Sequence, residues 1–360
     1  MQARSVVTRF SGLGKAGAIG TLVLLVAAMV FMVLVSLRTS LPAGATAPDS
    51  GDLALYRKII EQMRAGSSYY LAAHDQLVAN GYGTLSVFNW RTPLLPWLVS
   101  LFPSLIMAQI VLMALAMIAG AAMCRLMHRL GGWALAGPAL ALMMLSLAGC
   151  FVPQTILFSD IPAGVLIMLS AALYGLDRRG WGLAAGAAAL FVRELAGLYV
   201  LVCIYLAWRE KRYRELFCWC AVLCVYGLYF AWHYYNVQLH IQAGDPGYSE
   251  GWLQLGGASF ILTTASFNGA LMLAPLWVNA LLLPMALLGL AAWPVKTGAH
   301  AALAVLAYLL LFALVGKAFN DYWGALYTPL MTLGLAWFPF ALVDLLRAIG
   351  AKRELIVQAS

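Results

Sequence analysis

The chain has 360 residues, of which 63% are hydrophobic and only 10% are charged, and its mean hydropathy is +0.86. Soluble globular domains carry about 25% charged residues, so this composition excludes a soluble protein and indicates an integral membrane protein. The formal net charge is +8, but the Lys and Arg residues are dispersed among short polar loops, which argues against a nucleic-acid partner.

Apolar runs of about 20 residues, the length that crosses a hydrocarbon core of roughly 30 Å, recur along the chain. They leave no room for a separate soluble domain, so we expect a single all-α transmembrane domain over residues 1–360. Full spans, about eight in number, are predicted at residues 16–37, 105–127, 134–151, 160–176, 216–235, 271–293, 299–315 and 325–346. The first is too long for the core of a signal peptide, so we expect it to remain as a span.

The positive-inside rule predicts how these spans are oriented, because cytoplasmic loops are enriched in Lys and Arg. The cations near the two termini are Arg4, Arg9, Lys15, Arg347, Lys352 and Arg353. They predict that both termini lie in the cytoplasm. The two long polar loops, 38–92 and 238–268, are then expected on the external side.

The stretch 181–208 does not fit this alternation as one span, because the most basic loop of the protein, 209–215, would then lie outside. A pair of short helices that enters the membrane and returns restores the alternation. We expect Arg193 and Glu194 to lie near the turn of this pair. Ionisable residues at membrane depth favour a functional site, although either one could instead be a structural strut.

A helix is predicted to begin at Asp52 in the first external loop, with Asp52 as its N-cap. Its apolar positions are Leu53, Leu55, Tyr56, Ile59, Ile60 and Met63. They form one stripe, so we expect the helix to lie flat on the membrane surface. Farther along the loop, Pro93 and Pro96 delay the start of the next helix and leave Arg91 on irregular backbone at the interface.

Five segments in chain order carry a resemblance: GDLALYRKIIEQMRAGSSYY, WRTPLLPW, SDIPAGVLIMLSAALY, GAAALFVREL and DYWGALYTPLM. Together they resemble the membrane glycosyltransferases of the GT-C superfamily, which use polyprenyl-phosphate sugars as donors. The resemblance covers nearly the whole chain and implies a GT-C-like helical bundle. It implies that the acid in the first external loop, Asp52, is the catalytic base. Tyr56, Asp160 at the start of the fourth span and Arg193 on the short-helix pair match further positions of that family.

A sugar transfer from a lipid phosphate needs one base and at least one cation. The acceptor hydroxyl loses a proton as it attacks the anomeric carbon, and the anionic phosphate leaves. We expect Asp52 to take the proton, and Arg91 and Arg193 to hold the phosphate, because a guanidinium can bind phosphate oxygens bidentately. The residues expected to support this site are Tyr56, Asp160, Glu194 and Tyr322.

Many members of that family carry paired acids in the first external loop that can hold a divalent metal. This chain has Asp52, with Asp49 in the linker before it, so we predict no metal ion and no other cofactor. The cysteines Cys218, Cys220 and Cys224 are closely spaced, but they lie in an apolar run without a histidine or carboxylate alongside. That context argues against a zinc site.

We therefore predict an inverting glycosyltransferase of the cell (inner) membrane, with several spans and an active site on the external, periplasmic side. Its expected partners are a polyprenyl-phosphate sugar donor, a lipid, glycan or protein acceptor, and the membrane lipids. Other interpretations stay open, since Asp52 and Asp160 could be only helix caps and Arg91 could bind lipid headgroups. A transporter or lipid flippase, or a non-catalytic assembly subunit, would also carry charges within a membrane domain.

Overall fold

The structure, a computed structural model, describes residues 6–39, 51–247, 254–294 and 296–350. Within these ranges the chain forms α-helices and short 3-10 helices and no strand, as the composition predicts. The thirteen α-helices of this part of the chain are α1 (Lys15–Ser36), α2 (Asp52–Arg64), α3 (Tyr69–Ala79), α4 (Leu94–Ser100), α5 (Leu105–Ser146), α6 (Asp160–Gly175), α7 (Arg179–Val192), α8 (Gly197–Arg209), α9 (Tyr213–His240), α10 (Gly257–Ser266), α11 (Leu276–Ala292), α12 (Lys296–Leu314) and α13 (Thr328–Gly350). Arg4, Asp49, Lys352 and Arg353 lie outside the described residues.

Five helical stretches within the described ranges are long and apolar enough to cross a membrane. They are Lys15–Ser36, Leu105–Phe151, Tyr213–His240, Lys296–Leu314 and Thr328–Gly350. Two expected spans are shorter helices, α6 with 16 residues and α11 with 17. At about 1.5 Å per residue they measure roughly 25 Å, against a hydrocarbon core of roughly 30 Å. The apolar helices support a membrane protein, and the count of eight full spans stays a prediction.

The long helix α5 consists of two antiparallel arms that meet at Gly131 and Gly132. The backbone leaves helical geometry at both residues, and Gly132 has a φ of 61°, a left-handed conformation that favours glycine. Beyond this turn the chain returns along the first arm. The side chain of Gln109 consequently donates a hydrogen bond of 2.6 Å to the carbonyl of Cys150. The two spans predicted on either side of the turn are therefore separate helical arms.

The chain also reverses between α7 and α8. The hydroxyl of Ser170 donates a 2.6 Å hydrogen bond to the carbonyl of Gly182 on α7 and accepts one of 2.8 Å from the Tyr199 hydroxyl on α8. A continuous helix would separate residues 182 and 199 by about 25 Å, so the two helices must lie side by side. The expected pair of short helices is present, with Arg193 and Glu194 at its turn. Its depth in a membrane stays a prediction.

The loops lie at the two opposite ends of the helical bundle. One end gathers the first external loop, the turn between α7 and α8 and the segment after α12, which together line one cleft. The opposite end gathers the turn within α5 and the starts of α7, α9 and α12, which line a second cleft. This grouping agrees with the alternation of charge along the sequence. Which end faces the cytoplasm remains a prediction from the basic residues.

The surface helix α2 differs from the expectation in two respects. Its N-cap is Gly51, with a φ of 85°, and Asp52 is the first helical residue. Its apolar stripe is covered by protein, because Leu55, Ile59 and Ile60 are at most 5% exposed and pack within the core. Helices α3 and α4 cover this stripe, so it faces protein and not lipid. That the helix lies flat at the membrane surface stays a prediction.

Helices α11 and α13 pack closely because two glycines face each other. A Cβ on Gly289 would lie 1.8 Å from the carbonyl oxygen of Gly334, and one on Gly334 would lie 2.0 Å from that of Ala286. Small residues let helix backbones approach in lipid, where van der Waals packing replaces the hydrophobic effect as the main force between helices. This contact holds α13, and the segment that leads into it, against the rest of the bundle.

We expect Gly289→Ala to lower the thermal stability of the detergent-solubilised protein, because the added methyl group forces α11 and α13 apart. Overpacking of this kind costs about 1–3 kcal/mol. Gly227→Ala on α9 is the matched control, since nothing lies within 4 Å of a Cβ at that position. The measurement is the temperature at which half of the protein leaves the monodisperse peak in size-exclusion chromatography. Equal midpoints for the two variants would contradict the prediction.

Candidate functional site

The side chains predicted for the site lie together at one end of the bundle. A cleft of about 230 Å³, partly open to solvent, occupies this end. Six of the predicted residues line it: Asp52, Tyr56, Arg91, Arg193, Glu194 and Tyr322. The seventh, Asp160, is fully buried beside the cleft and contacts Arg193. The fold thus gathers residues from four distant segments of the chain, and their roles remain predictions.

The Asp52 carboxylate accepts hydrogen bonds from two tyrosine hydroxyls. Tyr82 donates to Oδ1 over 2.8 Å, and Tyr322 donates to Oδ2 over 3.0 Å. Asp52 is also the first residue of α2, where the helix macrodipole favours a negative charge. These features suit a carboxylate that is held in one orientation and can accept a proton from a molecule in the cleft.

The Arg91 guanidinium lies between two tyrosine rings. Its Nε donates to the Tyr56 hydroxyl and its Nη2 to the Tyr322 hydroxyl, both over 2.9 Å. The guanidinium carbon is 5.5 Å from the centre of the Tyr56 ring and 5.8 Å from that of Tyr322, distances that allow cation–π attraction. Arg91 therefore presents a fixed positive charge on the wall of the cleft.

The backbone around Arg91 is irregular, as its neighbouring prolines predict. Helix α4 begins only at Leu94, directly after its N-cap Pro93. On the other side, Trp90 is buried and its indole donates a 2.9 Å hydrogen bond to the carbonyl of Thr84. The Tyr69 hydroxyl donates to the carbonyl of Arg91 itself. These contacts hold the extended segment in place, so that the arginine side chain starts from a fixed point.

Arg193 is buried, at 1% exposure, and binds two carboxylates. Its Nε donates to Oδ1 of Asp160 over 2.8 Å, and its Nη1 contacts the carboxylate of Glu194. Glu194 in turn lies 4.0 Å from Nη1 of Arg91. Asp160 does not cap its helix, because the N-cap of α6 is Ser159. The ion pair of Arg193 with Asp160 therefore has the geometry of a structural strut, and a phosphate contact for Arg193 stays a prediction.

Tyr322 lies on a 3-10 helix, Ala318–Leu326, that is clamped between two α-helices. A Cβ on Gly164 of α6 would lie 1.9 Å from the carbonyl oxygen of Ala325. A Cβ on Gly324 would lie 1.8 Å from the carbonyl oxygen of Thr264 on α10. These two close approaches fix the position of the 3-10 helix relative to the cleft. They place the tyrosine hydroxyl between the carboxylate and the guanidinium described above.

Four polar residues of the cleft were not predicted from the sequence: Tyr82, Asn89, Lys317 and Asn320. The amide oxygen of Asn320 lies 3.2 Å from the Tyr322 hydroxyl oxygen and is an alternative acceptor to Asp52 for its single proton. The ammonium of Lys317 lies 6.0 Å from the centre of the Phe319 ring. A sequence signal for Tyr82 existed, because the glycine before it marks the end of a helix. Lys317 is part of no comparable pattern.

The second external loop is tied to the first at this end of the protein. Oδ2 of Asp245 lies 2.9 Å from Nε2 of His74 on α3, and both side chains are 7% exposed. The backbone N–H of Thr84 donates to the carbonyl of Pro246, also over 2.9 Å. These bonds fasten residues 241–247 beside the segment that carries Tyr82.

Metal binding in the cleft would require metal-ligating side chains that lie close to one another. Within the described ranges, no three His, Cys, Asp or Glu side chains lie close enough together to hold a metal ion. Asp49, the second acid of the first external loop, lies outside those ranges. The expectation of a site that works without a metal therefore stays a prediction.

The sequence matches no family model and no curated protein, and the fold matches no solved structure. Function therefore has to be inferred from the chemistry of the cleft. That chemistry comprises a carboxylate held by two phenols, an arginine held between the rings of Tyr56 and Tyr322, the ion-paired Arg193 and Glu194, and a nearby lysine.

Burial affects the titration of two groups beside the cleft. It raises the pKa of Tyr56 to about 12, although Arg91 acts in the opposite direction, so this phenol is neutral at ordinary pH. Burial also raises the pKa of the Asp321 carboxyl to about 6, despite hydrogen bonds from backbone N–H groups, and the charge of Asp52 adds to the rise. The contribution of Asp321 to folding stability consequently falls as the pH rises from about 4 to about 6, because only the folded protein keeps this proton.

We expect Asp321→Asn to be more stable than the wild type at about pH 8 and equally stable at about pH 4. Above its pKa, the buried Asp321 charge costs up to about 3 kcal/mol, since one pKa unit corresponds to about 1.4 kcal/mol. The measurement is the difference in thermal midpoint between the two proteins across this pH range. A difference that does not change with pH would show that Asp321 is not the titrating group.

Proposed function

We propose that this protein is a membrane glycosyltransferase that moves a sugar from a polyprenyl-phosphate donor to an acceptor hydroxyl, with Asp52 as general base. The observation that carries the proposal is the pairing of Asp52 and Arg91 across the single hydroxyl of Tyr322, on the wall of one cleft. The GT-C-like resemblance of the sequence supports the same assignment.

The proposed step is a single displacement at the anomeric carbon. The acceptor oxygen forms a bond to that carbon while Asp52 takes the hydroxyl proton, and the bond from the carbon to the phosphate oxygen breaks. The phosphate leaves with the bonding electron pair, and its negative charge is stabilised by cations fixed in advance on the cleft wall. Attack opposite to the leaving group inverts the configuration of the sugar.

Arg91 is proposed as the main contact of the donor phosphate. Two of its nitrogens are already held by tyrosine hydroxyls, so little side-chain freedom is lost when an anion binds. Lys317 lines the same cleft and supplies a second charge. Arg193 remains a third proposed contact, but its guanidinium also neutralises Asp160 and Glu194.

We assign the cleft to the external, periplasmic side of a cell membrane and both termini to the cytoplasm. The support is the distribution of basic residues, because the opposite end of the bundle carries the arginine-rich connections around Arg179 and Arg212. A lipid-linked donor would then reach the cleft from the membrane. The acceptor would be a lipid, a glycan or a protein.

The first test compares Asp52→Asn with the wild type in proteoliposomes that contain radiolabelled polyprenyl-phosphate sugars. We expect the variant to lose transfer, or slow donor hydrolysis, by at least about 100-fold, the lower range for a general base. Asp75→Asn is the matched control, because Asp75 is an exposed carboxylate on α3 outside the cleft. Parallel reactions with a chelator test the prediction that no metal is needed.

Two outcomes would contradict the proposal. If wild type and Asp52→Asn process every donor of the panel at the same rate, Asp52 is not the base. If the wild type consumes no donor but moves labelled lipid phosphate between the leaflets, the broken helix pair α7 and α8 belongs to a transporter instead.

The cations are tested separately. We expect Arg91→Lys to raise the donor KM by roughly tenfold or more, because lysine keeps the charge but not the planar fork that binds phosphate. Lys317→Met should also raise the donor KM.

Arg193→Leu should instead reduce the yield of folded protein, because it leaves Asp160 buried without its partner, at a cost of about 3–5 kcal/mol. An Arg193→Leu protein that folds normally and changes only the donor KM would show that Arg193 binds phosphate.

A further inference from the structure

The two oxygens of the Asp52 carboxylate have different neighbours. Oδ2 accepts from Tyr322, whose hydroxyl also contacts Arg91 and Asn320. Oδ1 accepts from Tyr82 over 2.8 Å, the shorter of the two hydrogen bonds. The Tyr322 hydroxyl therefore contacts both the carboxylate and the guanidinium. The Tyr82 hydroxyl contacts the other carboxylate oxygen, so its removal changes the surroundings of Asp52 and leaves the bond between Tyr322 and Arg91 in place.

We propose that Tyr82 is a positioning residue for the Asp52 carboxylate, which it orients toward the cleft. The proposal rests on the transferase function proposed above. A carboxylate oxygen has two lone pairs, so the bond from Tyr82 leaves one lone pair of Oδ1 for a substrate proton.

The local fold explains how Tyr82 reaches this position. Helix α3 ends in a Schellman motif, in which the N–H of Gly81 donates to the carbonyl of Val78 and the N–H of Tyr82 donates to that of Leu77, over 3.1 Å and 2.8 Å. Gly81 has a φ of 74°, a left-handed conformation that glycine adopts without strain. The tyrosine ring packs in the apolar cluster that contains Leu77, as the motif predicts.

The anchoring of the second external loop adds to this support. Thr84, two residues after Tyr82, is bonded to Pro246, and His74 on α3 is bonded to Asp245. Both ends of the segment that carries the phenol are thus held, so its hydroxyl is directed at Asp52 before any substrate binds. Preorganised contacts of this kind add to catalysis because nothing has to reorient during the reaction.

The test is the pH profile of transfer by Tyr82→Phe, measured beside Tyr56→Phe. We expect the acidic limb of the Tyr82→Phe profile to move upward by about one pH unit, since a hydrogen bond to a charged group is worth about 1.5–3 kcal/mol and one unit is about 1.4 kcal/mol. The donor KM should change by less than about twofold, because the phosphate contacts remain. Tyr56→Phe removes the same atom beside Arg91, so it should raise the donor KM and leave the acidic limb where it is.

A second measurement does not depend on activity. Infrared difference spectra of the full-length protein during acid titration report the C=O stretch of protonated carboxyl groups, and the Asp52 band is the one missing in Asp52→Asn. We expect this band to appear at higher pH in Tyr82→Phe than in the wild type. If the band shifts while the wild type transfers no sugar, the positioning role holds and the proposed transferase function fails.

The backbone variants supply an independent check. Gly81→Ala keeps the phenol but strains its Schellman motif, whereas Gly81→Asn tolerates the left-handed conformation better. Nothing lies within 4 Å of a Cβ at Gly81, so neither substitution creates a clash. We expect the Asp52 band to shift more in Gly81→Ala than in Gly81→Asn. An active wild type whose acidic limb and Asp52 band are both unchanged in Tyr82→Phe would overturn the proposal.

Discussion

The buried ion pair between Arg193 and Asp160 is the contact on which the rest of the site depends. Arg193 is 1% exposed and Asp160 is fully buried, and each charge would be costly in the apolar interior without the other. The pair joins the first residue of α6 to the turn between α7 and α8, where the chain interrupts its helix. Because the next residue is Glu194, the same turn also places a second carboxylate on the cleft wall, 4.0 Å from Arg91.

Above this ion pair, one hydroxyl connects the first external loop to the end of the chain. The Tyr322 oxygen accepts from Arg91 and can donate its single proton, with Asp52 at 3.0 Å and Asn320 at 3.2 Å as the two acceptors. In a low-dielectric site such bonded groups polarise one another, so that the charge on the arginine affects the phenol and, through it, the carboxylate. A carboxylate and a cation linked in this way would respond to each other when an anionic ligand binds.

The rigidity of the site comes from helix packing that uses very little polar interaction. Close backbone approaches at Gly164 and Gly324 hold the segment of Tyr322, and the paired glycines of α11 and α13 hold the helix that follows it. The short helices α6, α7 and α8 each have one end beside the cleft, because α6 and α8 begin there and α7 ends there. Irregular backbone and charged side chains therefore meet where protein covers them. Precise sites are built on such fixed elements, because loose side chains have to be ordered during each turnover.

The sequence by itself indicated a helical membrane protein, the reversal around Arg193 and the charged and phenolic residues that meet at the site. These features follow from apolar run length, charge alternation and proline position, which are local properties of the sequence. It misassigned the cap of α2 and the surroundings of its apolar stripe, because a stripe buried by α3 and α4 has the same periodicity as one that lies on lipid. Only the tertiary structure decided that Arg193 pairs with Asp160, that Tyr82 and Tyr322 hold the two oxygens of Asp52, and that Lys317 faces the same cleft. Those partners are separated by up to 270 residues, and no periodic pattern encodes a contact between groups that far apart.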